Sequence, residues 1–454
     1  MYRKDSTVPR GYGILYSLFL LGSAPRYLLR TVRNRRGPGI VQRFGLGVGF
    51  PSTRAGDCRL PGEGSERVSK RERDISRRDS STSDVRSDRS VRPARSLWFH
   101  ACSVGEVETA MPLVRLFARA YPDDALILST VTETGQARAR KLLGNEFVRY
   151  LPFDFGFAIR RHLSSVPLPR FFIVMETEIW PKLYSELSQH NIPLFIANGR
   201  ISDRAWRRYR RAVEFLRGTM ACVRAVGART VQDAERFRIL GARNVSVLGN
   251  IKFDRGAAPA PEGMPSGKFL LFASTHPGED ELFVRTWRSL RNRFPRLRAV
   301  LAPRHIERAP ALAKKYGGAL RSAGWKDESL LVLDTHGELA GLFSGATVAI
   351  IGGSFVPHGG HNPFEAAVQG VPILWGPHMQ NFRDAVEVLE GRGGETVREN
   401  EELAEALEAL LSDEDLRRQR GAAARAAASE NTGAAERHFN FFRDRLFEGE
   451  GERR

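Results

Sequence analysis

Short apolar runs alternate with amphipathic stretches along most of the chain after Arg95. Such runs are typical of strands that are buried on both faces of a parallel sheet. In the first half the pattern predicts strands at residues 97–103, 125–130, 147–151, 171–175, 193–197, 223–226 and 245–248. After a Pro-rich stretch at 259–267 it predicts further strands at residues 269–274, 297–302, 330–333, 348–351 and 372–374.

Helices between successive strands make each group of strands a doubly wound α/β domain. We predict an N-terminal Rossmann-like domain over residues 97–255 and a C-terminal one over residues 268–445, with a cleft between them. A chain of 454 residues, 42% of them hydrophobic, agrees with two domains rather than one. Such folds bind ligands at the carboxyl ends of their strands.

The first 43 residues do not follow this pattern. Residues 11–25 are uncharged and apolar, but they are shorter than the roughly 20 residues of a spanning helix, and arginines and lysines flank them. We interpret residues 1–43 as a membrane-associating segment that lies at the interface. A secretory signal peptide and an ordinary first helix are the alternatives, although the arginines that follow favour the cytoplasmic side.

Residues 52–96 are dominated by Arg, Asp, Ser and Glu and contain no aromatic residue. Such a stretch cannot bury enough apolar surface to offset the entropy of ordering it, so we predict a disordered insert. Its Arg-Ser steps also resemble an RNA-binding tail, but no aromatic side chain is present to stack on a base.

The formal net charge of +18 and a pI near 10.4 indicate an anionic partner. They do not distinguish nucleic acid from anionic lipid or a phosphorylated substrate. The three cysteines, Cys58, Cys102 and Cys222, lie far apart and predict neither a disulfide framework nor a zinc ribbon.

Charged side chains directly follow three of the predicted strands in the first half. Glu106 lies in HACSVGE, Glu176 and Glu178 lie in METEIWP, and Lys252 lies in GNIKFD. A carboxylate at this sheet edge can act as a general base, and a lysine can stabilise developing negative charge. Each also has a structural explanation, because a first-turn glutamate can cap a helix and a lysine can simply be solvated.

Three segments of the second half also place polar residues after strands: ASTHPGE with His276, APRHIER with His305 and DTHGEL with His336. The histidines raise the possibility of a metal site, but no HxH or HExxH spacing supports it. Residues 352–367 (GGSFVPHGGHNPFEAA) form a Gly-rich loop that runs into a helix near Asn362. This arrangement predicts free backbone N–H groups for a phosphate, with Glu365 on ribose hydroxyls; an ordinary capped helix is the alternative. Neither Walker A nor GxGxxG is present.

The motifs SVGE, ETEIWP, IKFD, PRHIER and GGHNPFEAA occur in this order between residues 97 and 383. Together they resemble the Kdo (3-deoxy-D-manno-octulosonic acid) transferases. The resemblance implies a GT-B arrangement of two Rossmann-like domains. It implies an inverting transferase that moves Kdo from CMP-Kdo to a lipid A precursor (lipid IVA) at the cytoplasmic face of the inner membrane. No metal or other cofactor and no nucleic acid are implied.

Residue roles follow from the same resemblance. It implies that Glu106 is the general base that deprotonates the acceptor hydroxyl, and that Glu176 and Lys252 stabilise the transition state. It places CMP against Pro303, Arg304, His336, Gly337, Glu338, Asn362, Pro363, Phe364 and Glu365. The chain departs from the family pattern in its 52–96 insert, at His336, which is often methionine, and at Cys102, which is usually a small apolar residue.

Two other functions stay open at this point. A GT-B transferase or epimerase that uses a UDP-sugar would share the fold and the Gly-rich loop, but it should lack the SVGE and ETEIWP pair. A basic RNA-binding protein would need aromatic residues interleaved with arginine, and the charged insert has none.

Overall fold

The computed structural model describes residues 40–44, 94–254, 256–263, 267–324, 328–398 and 400–447. Most of the predicted membrane-associating segment (1–43) and of the predicted disordered insert (52–96) therefore lies outside the described residues. The chain divides into two compact units, one formed by residues up to Ile251 together with Gly433 onward, and one formed by Lys252–Thr432.

The first unit is built on a parallel sheet of seven strands. In chain order these are β1 Ser96–His100, β2 Ala125–Thr130, β3 Val148–Tyr150, β4 Pro169–Met175, β5 Leu194–Gly199, β6 Ala225–Ala228 and β7 Val245–Val247. Their order across the sheet is β3-β2-β1-β4-β5-β6-β7. The chain reverses its winding direction between β1 and β4, which is the place where Rossmann-like sheets bind ligands.

Helices alternate with these strands. They are α1 Ile40–Arg43, α2 Val104–Ala120, α3 Glu133–Leu143, α4 Gly156–Ser164, α5 Pro181–Gln189, α6 Asp203–Tyr209, α7 Val213–Met220 and α8 Val231–Ile239. Successive side chains of a strand point to opposite faces of the sheet. Phe99 and Phe171 accordingly belong to one core, and Trp98 and Phe172 to the core on the other face. Burial on both faces explains why these strands are continuously apolar.

The second unit repeats the plan. Its strands are β8 Phe269–Thr275, β9 Arg298–Pro303, β10 Ala319–Leu320, β11 Leu330–Val332, β12 Val348–Ile351, β13 Ile373–Trp375 and β14 Gly394–Thr396. They pair in the order β10-β11-β9-β8-β12-β13-β14, again all parallel. The winding reverses between β8 and β12.

The helices of the second unit are α9 Asp280–Leu290, α10 Ala309–Tyr316, α11 Leu339–Leu342, α12 Phe364–Gln369, α13 Arg383–Leu389, α14 Asn400–Ser412 and α15 Glu414–Glu430. Short 3-10 turns at Ile306–Arg308 and Gln380–Phe382 lead into α10 and α13, and another at Ile251–Asp254 spans the boundary between the two units. As in the first unit, two apolar cores cover the two faces of the sheet.

The last helix, α16 Ala434–Phe447, returns to the first unit. Phe442 stacks on Phe195 with ring centroids 4.7 Å apart, and the Asn198 amide donates a hydrogen bond of 3.0 Å to His438 Nε2. We predicted that the second domain extends to residue 445; in the structure it ends near Thr432. The difference arises because the apolar face of α16 is covered by α2 and by strands of the first unit, as in the contact of Phe439 with Phe117.

All the strands predicted from apolar runs are present, with ends shifted by a few residues. The pattern missed β10 and β14, which are two and three residues long and only partly buried. The fold class, two Rossmann-like α/β domains, is confirmed. No helix within the described residues combines the length and apolar character that crossing a membrane requires.

Candidate active site

The carboxylates predicted from two separate motifs meet where the first sheet reverses its winding. Glu106 lies in the first turn of α2, directly after β1, and Glu176 and Glu178 follow β4. Strands β1 and β4 are hydrogen-bonded neighbours, with His100 opposite Val174. The negative charges of Glu176 and Glu178 both act on Glu106. These three residues form a carboxylate cluster, as their positions after strands predicted.

Glu106 has two local hydrogen bonds. Its Oε2 accepts from the Cys102 amide at 2.9 Å, and its Oε1 accepts from Ser103 Oγ at 3.0 Å. Ser103 is the N-cap of α2, and its hydroxyl accepts in turn from the Glu106 amide. The arrangement resembles a capping box, except that Glu106 accepts from the amide of Cys102 and not from that of the N-cap Ser103, so Glu106 does help to cap the helix. The same contacts also hold the carboxylate at one place on the sheet edge.

The electrostatics distinguish Glu106 from an ordinary cap. Burial, together with repulsion from Glu176, raises the pKa of Glu106 to about 7. Burial also raises the pKa of Glu178 to about 7. A general base works best when its pKa lies near the operating pH, so either side chain can take a proton from a bound hydroxyl. Strongly shifted carboxylates that cluster at a ligand-binding edge are typical of catalytic sites.

Glu176 is held differently. Arg229, whose side chain is only 3% exposed, forms a 2.5 Å ion pair with Glu176 Oε1. The backbone of Glu176 is in the left-handed region, at φ 57°, which non-glycine residues adopt uncommonly and mostly at functional sites or turns. The pairing holds the carboxylate of Glu176 in a defined orientation.

Lys252 lies in the 3-10 turn Ile251–Asp254 and is the first residue of the second unit. We predicted that it belongs to the N-terminal domain, over 97–255. Its neighbour Phe253 is 4% exposed and belongs to a core cluster of the second unit. The boundary between the units therefore lies inside the IKFD motif, with Ile251 in the first unit and Lys252 beginning the second.

The residues predicted to contact CMP all lie in the second unit and follow the ends of its strands. Pro303 is the last residue of β9, and the Arg304 amide donates to the Thr275 carbonyl at 3.0 Å. Glu338 is held by Arg321, with Oε1 2.9 Å from the guanidinium. Asn362 Oδ1 accepts from the Phe364 amide at 3.1 Å just before α12.

The Gly-rich loop does not present its first amides to a ligand. The carboxylate of Glu279, which is fully buried, accepts hydrogen bonds from the amides of Gly353 (2.7 Å), Ser354 (3.1 Å) and Phe355 (2.9 Å). It also accepts from the His276 amide at 2.9 Å. We predicted that the amides of this loop are free to bind a phosphate. For these three amides the prediction is wrong, because they already donate to the carboxylate of Glu279. Glu279 instead ties the ends of β8 and β12 together.

Histidines from three segments lie together at the same sheet edge. His276 and His305 are 6.1 Å apart between ring centroids, and His358 and His361 join them from the Gly-rich loop. Within the part of the chain that the structure describes, no group of three or more His, Cys, Asp or Glu residues is arranged to hold a metal ion.

Comparisons with known proteins agree with the motifs. Residues 67–255 match the family model of 3-deoxy-D-manno-octulosonic-acid transferase (kdotransferase). The 3-deoxy-D-manno-octulosonic acid transferase of Haemophilus influenzae is 34% identical over 370 residues, which cover 77% of this chain and 86% of the relative. The corresponding protein of Bordetella pertussis is 33% identical over 381 residues, covering 78% and 88%. The chain belongs to the Kdo transferase family.

Solved structures share the fold of this family member. A glycosyltransferase from Rickettsia africae superimposes with a TM-score of 0.54 at 12% identity, covering 78% of this chain and all of that one. A UDP-GlcNAc 2-epimerase from Neisseria meningitidis gives 0.53 at 11% identity, with 77% and 100% covered. At this identity the likeness concerns the fold alone.

Sequence analysis missed two neighbours of the carboxylate cluster in this Kdo transferase family member. Arg229 directly follows β6, so its place after an apolar strand was the available signal. Arg43, the last residue of α1, is buried, and its guanidinium lies 5.0 Å from the centre of the Tyr150 ring. Its charge acts on Cys102, whose thiol pKa is raised to about 12, chiefly by burial and by Glu178. Cys102 is therefore a neutral thiol at physiological pH.

Proposed function

We propose that the protein is an inverting glycosyltransferase that moves Kdo from CMP-Kdo to a lipid A precursor, lipid IVA, in the synthesis of the lipopolysaccharide inner core. The observation that carries the proposal is the carboxylate cluster where the first sheet reverses, with the pKa of Glu106 raised to about 7. Membership of the Kdo transferase family supports the choice of sugar.

In this proposal Glu106 removes the proton from a hydroxyl group of the acceptor. The hydroxyl oxygen attacks the anomeric carbon of Kdo from the face opposite the phosphate. A new C–O bond forms while the bond between the anomeric carbon and the CMP phosphate oxygen breaks. Its electron pair leaves with CMP, and the acceptor proton remains on Glu106. The raised pKa of Glu106 makes it a stronger base than an ordinary surface glutamate.

Glu176 and Lys252 are assigned to stabilising the transition state. Anomeric carbons develop positive charge as the leaving group departs, and a fixed carboxylate stabilises such charge. The ion pair with Arg229 supports this role because it fixes the position of the Glu176 carboxylate. Lys252 complements the negative charge that develops on the leaving phosphate.

The second unit is proposed to hold the CMP group. The proposed contacts fall on residues near the carboxyl ends of its strands and around the start of α12: Pro303, Arg304, His336, Gly337, Glu338, Asn362, Pro363, Phe364 and Glu365. Among the described residues, no carboxylate pairs with Arg304, which leaves its guanidinium for the donor.

The competing donor is a UDP-sugar. The likeness to a UDP-GlcNAc 2-epimerase does not favour it, because that likeness concerns the fold and two families can use one fold for different chemistry. The SVGE and ETEIWP motifs favour CMP-Kdo. In thermal-shift titrations CMP should stabilise the protein more than UDP or UDP-GlcNAc does. Stronger stabilisation by the uridine nucleotides would contradict the choice of donor.

The acceptor is a lipid, so the site of action is proposed to be the cytoplasmic side of the inner membrane. The support comes from the sequence of residues 1–43, where an apolar stretch lies between basic residues. Nucleic acid is not proposed as a partner.

The decisive experiment is a reconstituted transfer reaction. Purified protein is incubated with CMP-Kdo and lipid IVA in detergent, and the lipid product is weighed by mass spectrometry. A gain of one or more Kdo units is expected with CMP-Kdo and not when UDP-GlcNAc replaces it. If the lipid mass does not change while CMP stabilises the protein, the donor assignment would survive and the acceptor assignment would not.

A further inference from the structure

Two imidazoles of the second unit share a hydrogen bond at the edge of the sheet. His276 Nε2 and His361 Nε2 are 2.9 Å apart, and the two ring planes are nearly parallel, with an interplanar angle of 9° and centroids 5.1 Å apart. One nitrogen must donate and the other accept, so the neutral pair holds a single proton between its facing nitrogens. His276 follows β8 and His361 lies in the loop after β12, where the second sheet reverses its winding.

The backbone beneath the pair leaves room for the two rings. Gly353 has a φ of 66°, and a Cβ atom there would lie 3.1 Å from His361 Cδ2 and 3.2 Å from His276 Cδ2. Any side chain at this position would push the imidazoles apart. Glu279 binds the amides of both Gly353 and His276, which fixes the loop and the end of β8 relative to each other.

The charges that act on the pair come from other histidines and from Arg304 and Arg308. From the loop, His358 stacks on His276 with centroids 4.3 Å apart. From the segment after β9 come His305, 6.1 Å from His276 between centroids, and Arg304. The acids nearby are already engaged: Asp280 pairs with Arg308, Glu307 lies 3.5 Å from His305, and Glu279 is held by backbone amides.

This environment keeps the free pair neutral. Burial and the charge of Arg304 lower the pKa of His361 to about 4. Burial and the neighbouring histidine His358 lower the pKa of His276 in the same direction. A bound anion would offset the repulsion that the positive neighbours exert on a protonated ring, because negative charge beside an imidazole favours its charged form. Near neutral pH the free pair is therefore neutral, and a bound anion favours the uptake of a second proton.

We propose that His276 and His361, together with Arg304, bind the phosphate of the donor nucleotide and take up a proton as they do so. The inference rests on the proposed function, because it assumes a nucleotide donor with a single phosphate. The first amides of the Gly-rich loop donate to Glu279 and do not reach the phosphate. The phosphate is therefore bound by side chains, and the two histidines among them can change charge. A protonated pair also stabilises the negative charge that the phosphate gains as the sugar leaves.

Nucleotide binding as a function of pH tests the inference. Calorimetric titrations with CMP and with cytidine are run at pH 7.5 in buffers of different ionisation enthalpy, which reports the protons taken up. At this pH the phosphate, whose second pKa is about 6, is already mostly dianionic, so net uptake belongs to the protein. CMP should bind with uptake of a substantial fraction of one proton, and cytidine with none.

Matched variants assign the proton. His276→Gln and His361→Gln keep a polar group near the place of Nε2 but cannot become cationic. Each should abolish the uptake and weaken CMP binding roughly 10- to 100-fold, as expected when a charge-assisted hydrogen bond of about 1.5–3 kcal/mol is lost, while cytidine binding is unchanged. His190→Gln, a change at an exposed histidine of the first unit, is the control and should behave as the unchanged protein does.

The outcomes separate the inference from the proposed function. Normal proton uptake in both histidine variants, or no uptake by the unchanged protein when it binds CMP, would overturn the histidine site and leave the donor assignment standing. Failure of the unchanged protein to bind either CMP or cytidine would instead contradict the proposed function. Melting temperature and cytidine affinity report whether each variant is folded.

Discussion

The ring of Phe253 lies flat on the ring of Phe364, with centroids 3.5 Å apart and an interplanar angle of 3°. Phe253 belongs to the IKFD motif and Phe364 to the HNPFE motif, so two segments more than 100 residues apart share one contact. Lys252, beside Phe253, is therefore anchored to the proposed nucleotide-binding segment. This contact supports the proposal that Lys252 acts on the leaving phosphate, because it fixes the lysine beside the segment proposed to bind the nucleotide.

Glu106→Gln should abolish sugar transfer and leave the affinity for CMP nearly unchanged. The amide keeps the size of the side chain but cannot accept a proton, and loss of a general base typically costs roughly 100- to 10,000-fold in rate. Single-turnover transfer and the melting temperature are measured together. Glu108→Gln, a change in the same helix, is the matched control.

The capping explanation of Glu106 makes a different forecast. A first-turn carboxylate stabilises a helix by only about 0.3–1 kcal/mol, so the variant would melt slightly earlier and still catalyse. Near-normal turnover would remove Glu106 from the mechanism and leave Glu178, whose pKa is also raised to about 7, as the next carboxylate to test.

Transfer should become faster as the pH rises from 6 to 8. The base must be ionised to accept a proton, and burial with repulsion from Glu176 raises the pKa of Glu106 to about 7. The profile of kcat/KM against pH reports this group in the free enzyme, as an apparent value that belongs to the coupled cluster. Glu178→Gln removes one negative neighbour and should shift the rise to lower pH. A profile that is flat between pH 6 and 8 would argue against a carboxylate base.

Glu176→Ala should destabilise the first unit as well as slow transfer. It leaves the buried guanidinium of Arg229 without its carboxylate, and breaking a buried pair costs about 3–5 kcal/mol. Because Glu176 is 21% exposed, we expect a smaller loss of about 1–3 kcal/mol in the free energy of unfolding. Urea unfolding measures it.

The control is Glu214→Ala, which removes an exposed ion pair with Arg217 and should change stability by less than about 1 kcal/mol. Equal stability of the two variants would show that Arg229 does not depend on Glu176.

Glu279→Gln should destabilise the second unit by at least about 2 kcal/mol. The carboxylate accepts from four backbone amides, and the single carbonyl oxygen of glutamine cannot replace it, so buried amides lose partners at about 1–3 kcal/mol each. CMP affinity should fall too, since the loop that carries His361 is no longer held. Glu281→Gln, at an exposed position of α9 that pairs with Lys315, is the comparison and should be nearly neutral.

Removal of residues 1–30 should leave a folded protein that binds membranes less. Both sheets lie well beyond this segment, and we propose that its apolar and basic residues contact lipid. Flotation with anionic and with neutral vesicles, at low and high salt, compares the two proteins. Unchanged flotation on anionic vesicles would mean that another surface binds the membrane.

Much of the fold follows from local pattern. A strand that is buried on both faces must be apolar along its whole length, so the long strands of both sheets are visible as runs such as the one ending at Met175. Chain order and parallel pairing then bring the ends of β1 and β4 together, which is why Glu106, Glu176 and Glu178 were predicted to share a sheet edge.

Other features could not be predicted from the sequence and were seen only in the folded structure. The sequence by itself determined which residues follow strands, and hence which side chains reach the ligand-binding edge of each sheet. Only the tertiary structure decided that Glu279 accepts hydrogen bonds from amides of a loop 74–76 residues away, and that Arg229 forms an ion pair with Glu176. It also decided that α16 packs on the first unit, where His438 accepts a hydrogen bond from the Asn198 amide. The physical reason is that apolar burial acts on every residue of a strand and leaves a repeating pattern. A hydrogen bond or ion pair depends instead on which two residues the order of the strands brings together. The sequence next to either residue does not encode that order.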